Sequence, residues 1–162
     1  MRVANVLRES LDLDEVKTIN CTPDEAVRFA LANGDVLIVE GHASVEEIGR
    51  AAVWRSELPD ILHQNHLIRA RCSDMLLPGY LNLYINSRRG QAYFRSRAKS
   101  SSGLNTINST VVKELQVPQT PRREQDAFLS SVQDFNSALA AERSAETALR
   151  KTLYGILNEV IE

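Results

Sequence analysis

A chain of 162 residues that is 43% hydrophobic and 25% charged has the apolar content for one folded domain plus an extension, which excludes a disordered chain. It contains no apolar run of the ~18 residues that a membrane span needs, and its opening MRVANVLRES lacks the apolar core of a signal peptide. A cytoplasmic protein is therefore expected, with a formal net charge of −2 and with Cys21 and Cys72, which form no CxxC pair, reduced and structural.

Taken in chain order, EVKTIN (15–20) alternates like a strand. TPDEAVRFALANG (22–34) carries a helix signature: Thr22 as N-cap, Pro23 at the first helical position, Glu25 closing a capping box, and Asn33-Gly34 as the stop. DVLIVEG (35–41) reads as a buried strand, and GRAAVWRS and HLIRAR as two more. LPGYLNLYINS (77–87) and the following RRGQAYFRSRAK read as consecutive helices. Asn108 or Ser109 caps a single helical turn ahead of an LQVP strand. The expected fold class is α+β: a mixed domain over 1–120 followed by a long helix over 121–162.

That helix starts after Thr120 and Pro121 and meets neither Gly nor Pro until Gly155. Alternate steps of four and three give Phe128, Val132, Phe135, Leu139, Glu142, Glu146, Leu149, Leu153, Ile156 and Val160. Eight of these ten are apolar, with the two glutamates together in the middle and Ala138, Ala141, Ala145 and Ala148 forming a small-residue face beside them. A helix of roughly 60 Å with such a stripe implies a coiled coil whose second helix comes from elsewhere.

The charge is unevenly spread. Residues 1–49 sum to −6 and residues 50–113 to +7, and no acidic residue lies between Arg88 and Lys113. A basic block inside an otherwise acidic chain points to an anionic partner met on one face; the competing reading is a solvated helix surface.

Catalytic patterns are weak. His63 and His66 have H-x-x-H spacing, which would need a helix and further His, Asp or Cys ligands nearby to hold a metal, but they open an apparent strand, where such positions face opposite ways. Cys72 has no glycine turn to present it, and Gly34, Gly41 and Gly49 form neither GxGxxG nor a P-loop. No catalytic or metal-ligating set is expected. What remains are donors and acceptors of the kind that read base edges and hold phosphates: Arg50, Arg55, His63, Gln64, Asn65, Lys99, Ser101, Asn105, Thr106 and Asn108. A polar strand start and a polar loop binding their own backbone would show the same residue types.

The order RVANV, LDLDEVKTI, GDVLIVEG, IGRAAVW, HQNHLIRAR, YLNLYINS, then SSSGLNTINSTVVKELQVPQTPRREQ and a long helix, resembles one half of the specificity subunit of type I restriction-modification systems. Pro118, Pro121, Glu124 and Gln125 match the stretch that opens that family's spacer helix, and Gly103, Asn105 and Asn108 lie in the preceding polar loop. The resemblance implies a target recognition domain reading half of a split site in double-stranded DNA. It implies a spacer helix that pairs as an antiparallel coiled coil with a second copy, or with a second specificity half, through Phe128, Val132, Phe135, Leu139, Leu149, Leu153, Ile156 and Val160. It further implies DNA methyltransferase subunits as partners, with a restriction subunit beside them. S-adenosylmethionine, ATP and Mg would belong to those partners, and this chain would bind no cofactor and catalyse nothing. The family's recognition domain begins with several strands before the RVANV element, so those strands are expected to be missing. The alternatives are a non-catalytic assembly adaptor built on the coiled coil and, less in keeping with the residues, a metal-dependent hydrolase using His63 and His66.

Overall fold

The computed structural model describes residues 1–161, with side chains through Tyr154. The architecture is α+β, and the chain divides into two compact units, Met1–Arg122 and the segment from Arg123 onward.

The first unit is organised around β1 (Val36–Val39), whose four residues are all fully buried. A continuous apolar run has no polar side to show solvent, so it takes the middle of a sheet covered on both faces. After the short β2 (Gly41–His42), the strands β3 (Ala51–Val53) and β4 (Leu67–Ala70) flank it antiparallel, in the order β3-β1-β4. Val36 lies opposite Val53 on one side and Ala70 on the other. Alternation along β1 splits the core in two. Val36 and Ile38 pack with Ile48, Leu81, Ile85, Phe94 and Ile107, whereas Leu37 and Val39 pack with Met1, Val6, Trp54 and Leu67.

Helices α2 (Pro78–Asn86) and α3 (Arg88–Arg97) supply the first of these clusters, through Leu81, Ile85 and Phe94. They are separated by Ser87 alone, whose extended backbone ends one helix and whose Oγ accepts the Gly90 N–H at 3.2 Å to cap the next. The crossing is tight: a Cβ on Gly90 would stand 2.3 Å from the Tyr84 carbonyl oxygen, so only glycine fits. At Gly49, where φ is +74°, a Cβ would meet the Phe94 ring at 2.4 Å. Asn86 closes the free edge of β3. Its Oδ1 accepts the Ala51 N–H at 3.2 Å and its Nδ2 donates to the Ala51 carbonyl at 2.9 Å.

The pair β1–β4 is clasped where β1 begins. Asp35 is fully buried, and its carboxylate accepts two hydrogen bonds from Arg71, at 2.7 and 2.8 Å, and the Ala32 N–H at 2.7 Å. Burial alone would raise the Asp35 pKa; the Arg71 fork, the Ala32 N–H and the charges of Arg71 and Arg69 outweigh it and leave it lowered.

A second antiparallel sheet has the order β2-β6-β5, with β5 at Lys99–Ser101 and β6 at Leu104–Thr106. The short helix α4 (Ser109–Lys113) follows, capped by Asn108, whose Oδ1 accepts the Val111 N–H at 3.0 Å.

Four local expectations are corrected. The segment 15–20 forms no strand: it has no ladder partner, Ile19 is exposed, and the Glu15 carbonyl is used by the side chains of Arg2 and Asn5. Helix α1 begins as expected, with the Thr22–Glu25 capping box formed, but it spans only Pro23–Phe29. Ala30 turns extended because the Leu31 N–H donates to the Ile61 carbonyl and Leu31 packs into the second core cluster. LQVP is not a strand; Leu115 and Val117 pack instead against the first cluster. The helix expected to run through Lys99 stops at Arg97, and Lys99 opens the β5–β6 hairpin.

In the second unit, α5 runs over Arg122–Ile161 without a break, 40 residues and roughly 60 Å. Phe128, Phe135, Leu149 and Leu153 of the apolar stripe are exposed, and Val132 and Leu139 are half-buried. The side chains of Ile156 and Val160 lie outside the described residues. Glu146 pairs with Arg150 one turn on, at 3.1 Å.

Candidate nucleic-acid interface

The hairpin β5–β6 is built by its turn. Ser102 and Gly103, with φ of +50° and +79°, both lie in the left-handed region, the mirror-image two-residue turn that matches the twist of paired strands. All of β5 is exposed, and a Cβ on Gly103 would meet nothing within 4 Å, so the tip stands in open solvent. Residues directly opposite one another share a face, which puts Ser100 with Asn105 and His42, and Lys99 with Thr106.

These polar residues divide by what holds them. Asn105 donates from Nδ2 to the Ala43 carbonyl at 2.7 Å, pinning the chain after β2, and Thr106 donates to the Lys99 carbonyl at 3.4 Å. Asn108 is spent as the cap of α4. Lys99 and Ser101 are exposed and point no side-chain hydrogen bond back into the protein among the described residues. A two-stranded ribbon of this kind is one of the elements a DNA major groove admits.

HQNH lies in the turn before β4, not in the strand itself. His63 is half-buried and meets the Phe29 ring edge-on, with centroids 5.4 Å apart. Burial is the main cause that lowers its pKa, which leaves a neutral imidazole at pH 7. Gln64, Asn65 and His66 are exposed. Among the described residues no group of three His, Cys, Asp or Glu side chains comes together. The Cys72 thiol is pushed up by burial and then by Asp35, the opposite of what activates a nucleophile. No helix is long and apolar enough to cross a membrane, among the described residues.

Topology decides which of these residues meet. The Val39 end of β1 is paired with Leu67, so the HQNH turn lies beyond that end, and β2 continues from the same end. Glu40 joins the two: its N–H donates to the His66 carbonyl and its carbonyl accepts the Ile107 N–H. The HQNH turn and the β2-β6-β5 sheet are thus neighbours. Arg55 is exposed but follows the strand residue paired with Val36, so it lies beyond the opposite end of β1. Arg50 is a strut: its side chain is 12% exposed, and it donates to Glu47 at 2.7 Å and to the Val3 carbonyl at 3.1 Å.

A second basic feature went unsingled in the sequence. Arg8, Arg88 and Arg95 line one cleft of about 320 Å³ with Asn86 and Gln91. Arg8 is 80 residues away from Arg88 along the chain, so no local pattern joins them; the only signal is the acid-free run from Arg88 to Lys113.

An exposed polar ribbon thus stands beside a polar turn on an α+β unit, and a long helix follows in the chain. No family model matches the chain. It is 25% identical over 153 residues to the type I restriction enzyme EcoKI specificity subunit of Escherichia coli K12, which covers 93% of this chain and 33% of that protein. It is 26% identical over 153 residues to the StySPI specificity subunit of Salmonella potsdam, with the same coverage. The resemblance read from the sequence motifs thus holds along nearly the whole chain, and the chain spans about a third of the length of the curated relatives it matches.

Proposed function

We propose that this chain is a DNA-recognition half of a type I specificity subunit. What carries the reading is the match along 93% of the chain to proteins named as specificity subunits, supported by the solvent-facing polar ribbon. In this reading Lys99 and Ser101 on the ribbon, with Gln64 and Asn65 on the neighbouring turn, face DNA and read one half of a split site. Arg50, His63, Asn105, Thr106 and Asn108 hold the frame behind them, and Arg55 meets backbone farther away. Helix α5 pairs antiparallel, through the stripe from Phe128 to Leu153, with a second copy or a second specificity half. Methyltransferase subunits carry the S-adenosylmethionine and methylate adenine, a restriction subunit carries ATP and Mg, and the complex works in the cytoplasm.

The test is a map of adenine methylation across the source genome with the gene intact and deleted. Loss of methylation at one bipartite motif is the expected result. Two identical inverted half-sites indicate a homodimer, and two different halves a second recognition chain. If no motif changes, the reading fails and an assembly adaptor takes its place.

A further inference from the structure

Helix α5 breaks its own pattern at one place. Between Phe128 and Leu153 every position of the stripe is apolar except Glu142 and Glu146, and these two are exposed along with Phe135, Leu149 and Leu153. An apolar surface at heptad spacing is a seam for another helix. Two carboxylates inside a seam oppose the pairing, because joining takes them out of water, and a charge leaves water at high cost unless it meets an opposite one. What the partner places opposite them therefore decides whether the helices join.

A second copy of the helix supplies the wrong charge. Alternate steps of four and three read the same in both directions, so an antiparallel pair of copies centres on Ser144. That register sets Phe135 against Leu153 and Leu139 against Leu149, as a seam requires. It also sets Glu142 against Glu146 on both sides of the centre, which puts four carboxylates in one stretch of seam. Sliding one copy by a heptad in either direction brings each glutamate against Leu or Phe instead, and a parallel pair puts each glutamate against itself. The chain's own cations do not answer them. Arg150 is already bonded to Glu146 of its own helix, at 3.1 Å. Arg143 flanks the seam and makes no side-chain hydrogen bond or ion pair among the described residues, but it is one cation for two carboxylates.

We propose that Glu142 and Glu146 set α5 against its own copy and select the helix of a different specificity half, one that carries Lys or Arg opposite these two positions. The identity of that partner rests on the DNA-recognition reading, whereas the charge requirement rests on α5 alone. Like charges facing each other penalise the wrong partner, and opposite charges admit the right one. The same pair fixes the register, since a cationic partner gains both ion pairs in one alignment and loses them when it slips by a heptad. The two halves of the recognised site then differ in sequence, each read by its own unit.

The experiment is sedimentation of the full chain as wild type, as Glu142→Leu with Glu146→Leu, and as Glu142→Lys with Glu146→Lys, each alone, and of an equimolar mixture of wild type with the lysine variant. Both positions are exposed in the free helix, so all three forms should fold alike, with circular dichroism as the check. Wild type and the lysine variant should each stay monomeric at micromolar concentration, and the leucine variant should dimerise. The mixture should form a one-to-one dimer, tighter than self-association of either component by roughly tenfold or more and weakening as salt rises. Wild type that self-associates as tightly as the leucine variant overturns the proposal, as does a leucine variant that stays monomeric or a mixture no tighter than wild type alone. None of these readouts involves DNA, so none bears on the recognition reading. The methylation map separates the two: two different half-sites are expected, and identical inverted half-sites overturn the choice of partner while leaving DNA recognition standing. If no motif depends on the gene, the recognition reading fails and sedimentation still decides the charge rule.

Discussion

The two sheets of the first unit have the same number of strands and the same antiparallel pairing, and they are otherwise opposites. In β3-β1-β4 the central strand is Val-Leu-Ile-Val, fully buried, with a core cluster on each face. In β2-β6-β5 the strand β5 is Lys-Ser-Ser, fully exposed, and the sheet is held by its ladder, a tight turn and the Asn105 and Thr106 side chains. Burial stabilises by about 25 cal/mol per Å² of apolar surface removed from water, a contribution the second sheet does without. Fold stability is therefore concentrated in one sheet, and the other is free to vary in what it presents to a partner.

The difference is broken most directly at Phe94, fully buried between α3, the strand face and Gly49. Phe94→Ala is expected to lower the unfolding free energy by about 3–5 kcal/mol, measured by urea denaturation, a loss large enough to unfold a domain of ordinary stability. The clasp at the edge of the same sheet comes next. Arg71→Ala leaves the buried Asp35 carboxylate with the Ala32 N–H and should cost about 1–3 kcal/mol at pH 7. Because the folded Asp35 pKa is lowered, the clasp contributes fully above the unfolded aspartate value, near pH 4, and is lost as pH falls through the folded value. The gap between Arg71→Ala and wild type should accordingly narrow below about pH 4; a gap that stays constant in acid would show that the pair is not what Arg71 contributes.

The same contrast explains what could be read from the sequence. A continuous apolar run such as 36–39 has one reasonable place, the middle of a sheet, and the Thr22–Glu25 capping box and the Ser87 break are set by residues a few positions apart. The end of α1 is not local: Asn33-Gly34 looks like a stop, but the chain leaves the helix at Ala30 to pair with the segment at Ile61 and Leu62. The β5–β6 hairpin was hidden because its strands carry no apolar alternation; the Ser102-Gly103 pair was its one trace. In the candidate site, residue type was legible and role was not. Arg50 and Arg55 look equivalent in GRAAVWRS, yet one is a strut on Glu47 and Val3 and the other is exposed, a difference set by segments far apart in sequence.

Gly103 measures how firmly the second sheet is held. With φ at +79° and open space around it, Gly103→Ala suffers no clash and only the left-handed backbone cost, about 1–2 kcal/mol. Because the hairpin carries no core, that strain should appear as local opening: faster amide exchange across Lys99–Thr106, with the global unfolding midpoint nearly unchanged. A shift of the whole midpoint by the full amount would mean that the two sheets unfold as one and are less independent than their packing indicates.

The smallest expected effect on stability is the one that bears most on function. Ser101→Ala removes an exposed hydroxyl that bonds nothing else among the described residues, and it should change unfolding free energy by less than about 0.5 kcal/mol. If the ribbon reads DNA, the same substitution, or Lys99→Ala beside it, should weaken or relax methylation at one half of the bipartite motif, since a lost base contact is worth about 1–3 kcal/mol of discrimination. Phe94→Ala, by contrast, should reduce methylation at every site in proportion to the folded fraction without altering the motif. A ribbon variant that behaves like Phe94→Ala would assign the ribbon to the frame and leave Gln64 and Asn65 as the candidate readers.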